Sequence, residues 1–266
     1  FILDNELLDA SAFSDDYLPR NNVLYDVMRV INGVPLFWEA HYQRLEISAR
    51  LSGLPLNYSR DDIYDKIMPL IRKADIANGN IKLVITPKSE KSPQKFLAWF
   101  IGHHYPQSVD YKLGVKTMIL NAERKSPNIK LINLDLRNRC NKLIKENNVY
   151  EILLVDNENN ITEGSRSNVF FIKDTEIITP LFTDVLPGIT RAGILEICRS
   201  MNLKITERKV PVSEIKHLDG IFISGTSPKV LPVIRVDDFT FSFESILLKR
   251  IMVAFDAKID EYISSH

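Results

Sequence analysis

The chain has 266 residues, 45% of them hydrophobic, enough to bury the core of one large domain or two modest ones. Its 34 basic residues balance 34 acidic ones, so no long-range field draws it onto nucleic acid or anionic lipid, and a polyanionic partner is disfavoured. Cys140 and Cys198 form no CxxC or framework spacing, no apolar run approaches the roughly 18 residues that span a bilayer, and the opening FILDNELLDASAF is acidic. These features lead to the expectation of a soluble cytoplasmic protein without structural disulfides.

The alternating YDVMRVI, the turn-forming Asn32-Gly33 and VPLF predict a hairpin. A helix is expected from about Trp38 to Ser52, stopped by Gly53, with Tyr42, Leu45 and Ala49 on one side and His41, Arg44 and Ser48 on another. A second begins at Ser59, with Asp62 as its capping pair and Ile63, Ile67 and Ile71 as its stripe, and ends near Asn78-Gly79. The strands IKLVIT and FLAWFI follow, separated by an exposed hairpin connection, KSEKSPQK.

HHYPQSVDY carries a proline and no periodicity, and residues 107–111 within it are read as a linker between domains at 1–106 and 112–266. Beyond it a strand is expected over 113–122 and a helix over about 137–147. EILLVD, ITEGS, NVFFI and EIITP predict four further strands, and a helix is expected from Thr190 to Met201. GIFISG is a strand, and a final helix starts at about Glu244.

HExxH, GxSxG, the P-loop and GxGxxG are all absent. His103-His104 ends a strand, where neighbouring side chains face opposite sides, so no metal is expected there. LPGITRAGILE is more telling: a Pro-Gly turn feeds a helix and leaves the amides of Gly188, Ile189 and Thr190 at its positive end, a place suited to an anion. The turn SGTSP at 224–228, through Gly225 and Thr226, offers further amides and a hydroxyl.

Read in order, YDVMRVINGVPLFWEAHYQRL, SPNIKLIN, ITEGSRSNVFFIKD, LPGITRAGILE and ISGTSPKVLPV resemble the successive motifs of fold-type IV (class IV) pyridoxal-phosphate enzymes. That family includes branched-chain aminotransferases, D-amino-acid aminotransferases and aminodeoxychorismate lyases. The resemblance implies a two-domain α/β (α+β) fold, with a small N-terminal α/β domain and a larger C-terminal pseudo-barrel domain, the cofactor between them. It also implies a homodimer. Lys130 would carry pyridoxal 5'-phosphate as a Schiff base, Glu163 would face the pyridine nitrogen and Arg44 would bind the phosphate, completed by Gly188, Ile189, Thr190, Gly225 and Thr226. Tyr25 would line the site's mouth.

Residue chemistry agrees: a lysine amine serves as tether and proton carrier, and a carboxylate at the ring nitrogen favours the electron-withdrawing pyridinium. A substrate carboxylate needs donors, and Arg29, Arg166 and the amides of Thr226 and Ser227 are candidates. The chain departs from the family at four places. The glycine-rich lead has become YLPRNNVLYD, Pro87 stands near the arginine position of the D-specific enzymes, Asp135 replaces a tyrosine five residues after Lys130, and the late motif has Lys229 and Leu231 where Glu and Thr are common. Three functions stay open: an aminotransferase acting on an amino acid and a 2-oxo acid, a 4-amino-4-deoxychorismate lyase releasing pyruvate, and a non-catalytic cofactor-binding protein.

Overall fold

Strict alternation in Leu24–Ile31 sends Leu24, Met28 and Val30 to one face of a strand and Tyr25, Val27 and Arg29 to the other. In this computed structural model, which describes residues 1–14, 17, 23–73, 76–87, 93–103, 105–241 and 245–266, that strand organises the first of two structural units. Asn32 and Gly33 take positive φ (52° and 79°) and close the expected hairpin onto Val34–Pro35. The six strands run in the order Glu6–Leu7, Ile2–Leu3, Phe96–Ile101, Gly79–Ile85, Leu24–Ile31, Val34–Pro35, every pairing antiparallel.

Two helices, Trp38–Ser52 and Arg60–Lys73, cover the face that carries Leu24, Met28, Ile81, Leu83 and Phe96. The first stops at Gly53, whose left-handed φ of 68° returns its amide to Ala49 and Arg50. Ser59 and Asp62 cap the second reciprocally, with Ser59 N donating to Asp62 Oδ2 (2.9 Å) and Asp62 N donating to Ser59 Oγ (3.1 Å). Leu45, Ile63 and Ile67 are at most 1% exposed, and each such burial contributes about 1.5–3 kcal/mol before chain entropy is counted.

The second unit is built on a ten-stranded mixed sheet. Its main path runs Ile205–Glu207, Glu176–Thr179, Asn168–Lys173, Gly220–Gly225, Lys229–Val236, Val115–Asn121, Glu151–Val155, Asn160–Gly164, Val210–Pro211. The sheet curls, for Asn160–Gly164 also lies against Asn168–Lys173, to which a short turn joins it. Val115–Asn121 pairs in parallel with Glu151–Val155, a connection that requires a crossover, and the helix Leu134–Asn147 stands between the two in sequence. Ile189–Ser200 and Ile246–Ser264 are the other long helices, and Gly193 of the former lies close to the Phe255 ring of the latter.

Residues 107–111, read from sequence as a linker, instead begin the helix Ser108–Leu113. Gln107 and Asp110 form a capping box that periodicity over so short a stretch does not reveal, and Gly114 ends it at φ 77°. The next helix starts at Leu134, one turn before the expected 137. Residues 88–92 of the expected hairpin connection, residues 18–22 of the divergent lead, His104 and Glu244 lie outside the described residues.

Neither unit is continuous in sequence: Ile129–Leu134 and Glu261–His266 pack within the first unit, and Tyr105–Asn128 and Asp135–Asp260 form the second. The late segment is tied down by Tyr262, whose hydroxyl accepts from Trp38 N (3.1 Å) and donates to Glu39 Oε2 (2.8 Å), while its ring lies 4.9 Å from that of Phe37. Phe37, the helix N-cap, makes no side-chain capping bond of its own. No described helix is long and apolar enough to cross a membrane, and no metal-binding cluster occurs among the described residues.

Candidate active site

Lys130 is held by its backbone. Its amide donates to Ser48 Oγ (3.2 Å), its carbonyl accepts from Tyr25 N (3.3 Å), and Ile132 N donates to Val23 O (3.2 Å). Leu131 also makes an isolated antiparallel bridge with Leu24, so residues 130–132 dock beside the start of Leu24–Ile31. The Lys130 ammonium lies 4.9 Å from the centre of the Tyr25 ring, a cation–π distance.

Lys82, from the neighbouring strand, lies 5.5 Å from the centre of that same ring and 5.3 Å from that of Trp99. This sheet face, opposite the two helices, thus carries two cations around Tyr25 above an apolar floor of Val23, Val84 and Leu97. Arg29 shares the face, four residues along from Tyr25. Lys82 was not singled out in the sequence. The signal was present, as the only charge in the strand NIKLVI, but one strand does not show which aromatic residues flank it.

The polar side of the helix Trp38–Ser52 is buried too: His41 is 4% exposed, Arg44 7% and Ser48 0%. Asp26, on the core-facing side of its strand, supplies the reason. Arg44 Nε donates to its Oδ2 (2.9 Å) and Nη2 to its Oδ1 (2.6 Å), and His41 Nδ1 lies 2.9 Å from Oδ1. Burial alone would raise the Asp26 carboxyl, but Arg44 and His41 outweigh it and hold it far below the usual carboxylate range. Burial pushes His41 below its ordinary 6.5, against the pull of Asp26, and favours the neutral ring. Asp26 thereby fixes the guanidinium plane of Arg44, and Ser48, one turn further on, fixes Lys130.

In the second unit Glu163 is 2% exposed on the strand Asn160–Gly164. Its Oε1 forms an ion pair with Arg124 Nε at 2.8 Å, and its Oε2 accepts from Leu186 N (3.0 Å). The guanidinium thus meets one oxygen of this buried carboxylate and a backbone amide meets the other. Arg124 was missed in the sequence because it lies in the irregular NAERKSPN, which has no spacing to read.

Leu186 leads into LPGITRAGILE, where the helix starts at Ile189 with Gly188 as N-cap and no side-chain cap. The amides of such a first turn lack intrahelical acceptors, which suits them to an anion. Gly188 passes so close to Asn168 that a Cβ there would meet its Oδ1 at 2.0 Å, and Thr190 is 8% exposed. Gly225 and Thr226 open the turn between Gly220–Gly225 and Lys229–Val236, and Ser227 within it is buried. At its entrance the Ser224 hydroxyl is fully buried with no hydrogen-bond partner among the described residues.

Arg166 follows Glu163 by three residues, but its side chain is exposed and donates to Asn141 Oδ1 on the helix Leu134–Asn147. Asp135 is exposed in the first turn of that helix.

Each unit, taken by itself, holds groups of kinds that suit pyridoxal phosphate: the first a tethered lysine beside an aromatic ring, the second a buried carboxylate paired with an arginine, an uncapped helix start and a buried hydroxyl with no hydrogen-bond partner among the described residues. Residues 23–236 match the amino-transferase class IV family, and the chain belongs to it. It is a pyridoxal-phosphate enzyme of that family. A Thermotoga maritima protein assigned as a branched-chain-amino-acid aminotransferase is 28% identical over 242 residues, 90% of this chain and 85% of its own. The D-alanine aminotransferase of Bacillus licheniformis is 27% identical over 235 residues, 82% of this chain and 80% of its own. The fold matches that of a Legionella pneumophila protein assigned as a 4-amino-4-deoxychorismate lyase, with TM-score 0.80 and 22% identity over 91% of this chain and 92% of the other.

Proposed function

We propose that the protein is an aminotransferase that moves an amino group from an amino acid to a 2-oxo acid, with pyridoxal phosphate held as a Schiff base on Lys130. The observation that carries this reading is the tethering of Lys130: three backbone hydrogen bonds at 130–132 and the Tyr25 ring hold one particular lysine of a lysine-rich chain. Bound pyridoxal phosphate supplies an electron sink for the carbanion left when the donor's Cα loses its proton. Lys130, released when the donor amine takes its place, carries that proton, and the Tyr25 ring borders it.

Glu163, paired with Arg124, is assigned to the ring nitrogen. Arg44, with its plane set by Asp26, is assigned to the phosphate together with Gly188, Ile189, Thr190, Gly225 and Thr226. Tyr25 borders the reacting lysine, and Arg29, Arg166, Ser227 and now Lys82 are the donors offered to the substrate carboxylate. Amino-acid transamination is supported by relatives named as branched-chain and D-alanine aminotransferases. A cytoplasmic homodimer is part of the same proposal.

The test is an absorbance spectrum of the purified protein with pyridoxal phosphate, before and after L- and D-amino acids without acceptor. Wild-type protein is expected to show a visible band that Lys130→Ala lacks, and one class of donor is expected to shift it to the near ultraviolet with stoichiometric 2-oxo acid. A band that no amino acid shifts, with release of pyruvate from 4-amino-4-deoxychorismate, would replace transamination by the lyase reaction. A band that neither substrate changes would leave a cofactor-binding protein without turnover.

A further inference from the structure

Glu151, the first residue of the strand Glu151–Val155, is 3% exposed, and among the described residues no lysine or arginine forms an ion pair with it. A carboxylate in such a place is costly unless its lone pairs are filled. Four donors fill them. Oε1 accepts from Ile152 N (2.9 Å) and Ser165 Oγ (2.6 Å), and Oε2 accepts from Arg166 N (3.2 Å) and Ser167 Oγ (2.9 Å).

Three of those donors belong to one turn, 164–167, which closes on itself through Gly164 N donating to Ser167 O (2.8 Å). The turn is wrapped so tightly on the carboxylate that a Cβ at Gly164 would stand 2.1 Å from Ser167 Oγ and 3.1 Å from Glu151 Cγ. Only glycine fits there. Both ends of the turn then grip a single residue of the segment that starts the helix Ile189–Ser200: Glu163 Oε2 accepts from Leu186 N (3.0 Å), and Asn168 Nδ2 donates to Leu186 O (2.9 Å).

We infer that Glu151 is a positioning residue for the cofactor site: its carboxylate templates the 164–167 turn, and through that turn sets Glu163 and the helix start at Gly188–Thr190 in register. This rests on the assignment of Glu163 and the helix start to the cofactor. Glu151→Gln keeps the volume but turns an NH2 group toward two of the donors, so the turn loses its template while the strand keeps its apolar packing.

The experiment is a double-mutant cycle on pyridoxal-phosphate affinity, read from the visible band, with Glu151→Gln, Glu163→Gln and the double variant. Thermal unfolding without cofactor is followed alongside, and Ser165→Ala serves as a milder variant that removes one donor and leaves the acceptor. Glu151→Gln is expected to weaken cofactor binding at least tenfold, Ser165→Ala by a few-fold in the same direction, and Glu151→Gln is expected to add little once Glu163→Gln is present. Additive losses, or lowered melting temperature with unchanged affinity, would reduce Glu151 to a structural residue and overturn the inference. If Glu151→Gln does not fold, Ser165→Ala in the two Glu163 backgrounds decides by the same criterion. Failure of the underlying assignment looks different, since Glu163→Gln would then bind cofactor as the wild type does.

Discussion

Arg124 Nε stands 2.8 Å from Glu163 Oε1, with the two side chains 13% and 3% exposed. Removing one partner of a buried pair strands the other charge, so Arg124→Met is expected to lower stability by about 3–5 kcal/mol. Arg124→Lys, which keeps a charge but loses the planar fork, should fall between Met and the wild type. Urea unfolding of the three proteins checks both. Equal midpoints would mean that the ion pair contributes nothing.

The Asp26–His41–Arg44 cluster makes stability depend on pH in one direction. His41 has a folded pKa below its ordinary 6.5, so as pH falls below that value the unfolded chain takes up a proton that the folded chain refuses. Asp26 has a folded pKa below 3.8, so its contribution is full above the unfolded value and is lost as pH falls toward the folded one. The melting temperature should therefore drop from pH 7 to pH 5, with His41 contributing a slope of at most about 1.4 kcal/mol per pH unit. His41→Gln should flatten that part of the profile, and a wild-type curve flat over the same range would contradict it.

Lys82 is aimed by two aromatic rings on the face that carries Lys130. If it receives the donor's carboxylate, Lys82→Met should raise KM for the donor by about one to two orders of magnitude, the value of a charge-assisted hydrogen bond of about 1.5–3 kcal/mol. The visible band of the cofactor should persist. Steady-state kinetics with the donor found in the amino-acid panel decide, and an unchanged KM would leave Arg29 or Arg166 as the carboxylate's partner.

Both cysteines are buried free thiols, and burial pushes Cys198 up to about 11 and Cys140 above its ordinary value. Thiol reactivity follows the thiolate. Ellman's reagent at pH 8 should find neither thiol in the folded protein and both after unfolding in guanidinium.

Strands and long helices were legible because alternation and helical spacing extend over enough residues to be read, as in Leu24–Ile31 and Trp38–Ser52. His41, Arg44 and Ser48 were legible as a polar stripe, but its burial was not, since that depends on Asp26 arriving from a strand that sequence leaves unplaced. The helix Ser108–Leu113 escaped because six residues give no period, only a cap. Lys130 and Glu163 were singled out through their motifs, and the structure shows each to be held in place. Their supports, Ser48 for Lys130 and Arg124 for Glu163, come from 82 and 39 residues away and had no local mark.

Tyr262 gives the order of synthesis a role. The helix that begins at Trp38 leaves the ribosome early, yet the hydroxyl that accepts from its first amide is made more than two hundred residues later. At synthesis rates of about 5–20 residues per second, the early part waits on the order of ten seconds or more for the residue that caps it. The segment 130–132, which brings Lys130 to Tyr25, arrives in the interval. The first unit is thus begun early and completed late, and a nascent chain halted before residue 261 would hold Lys130 on a scaffold still lacking the Tyr262 clasp.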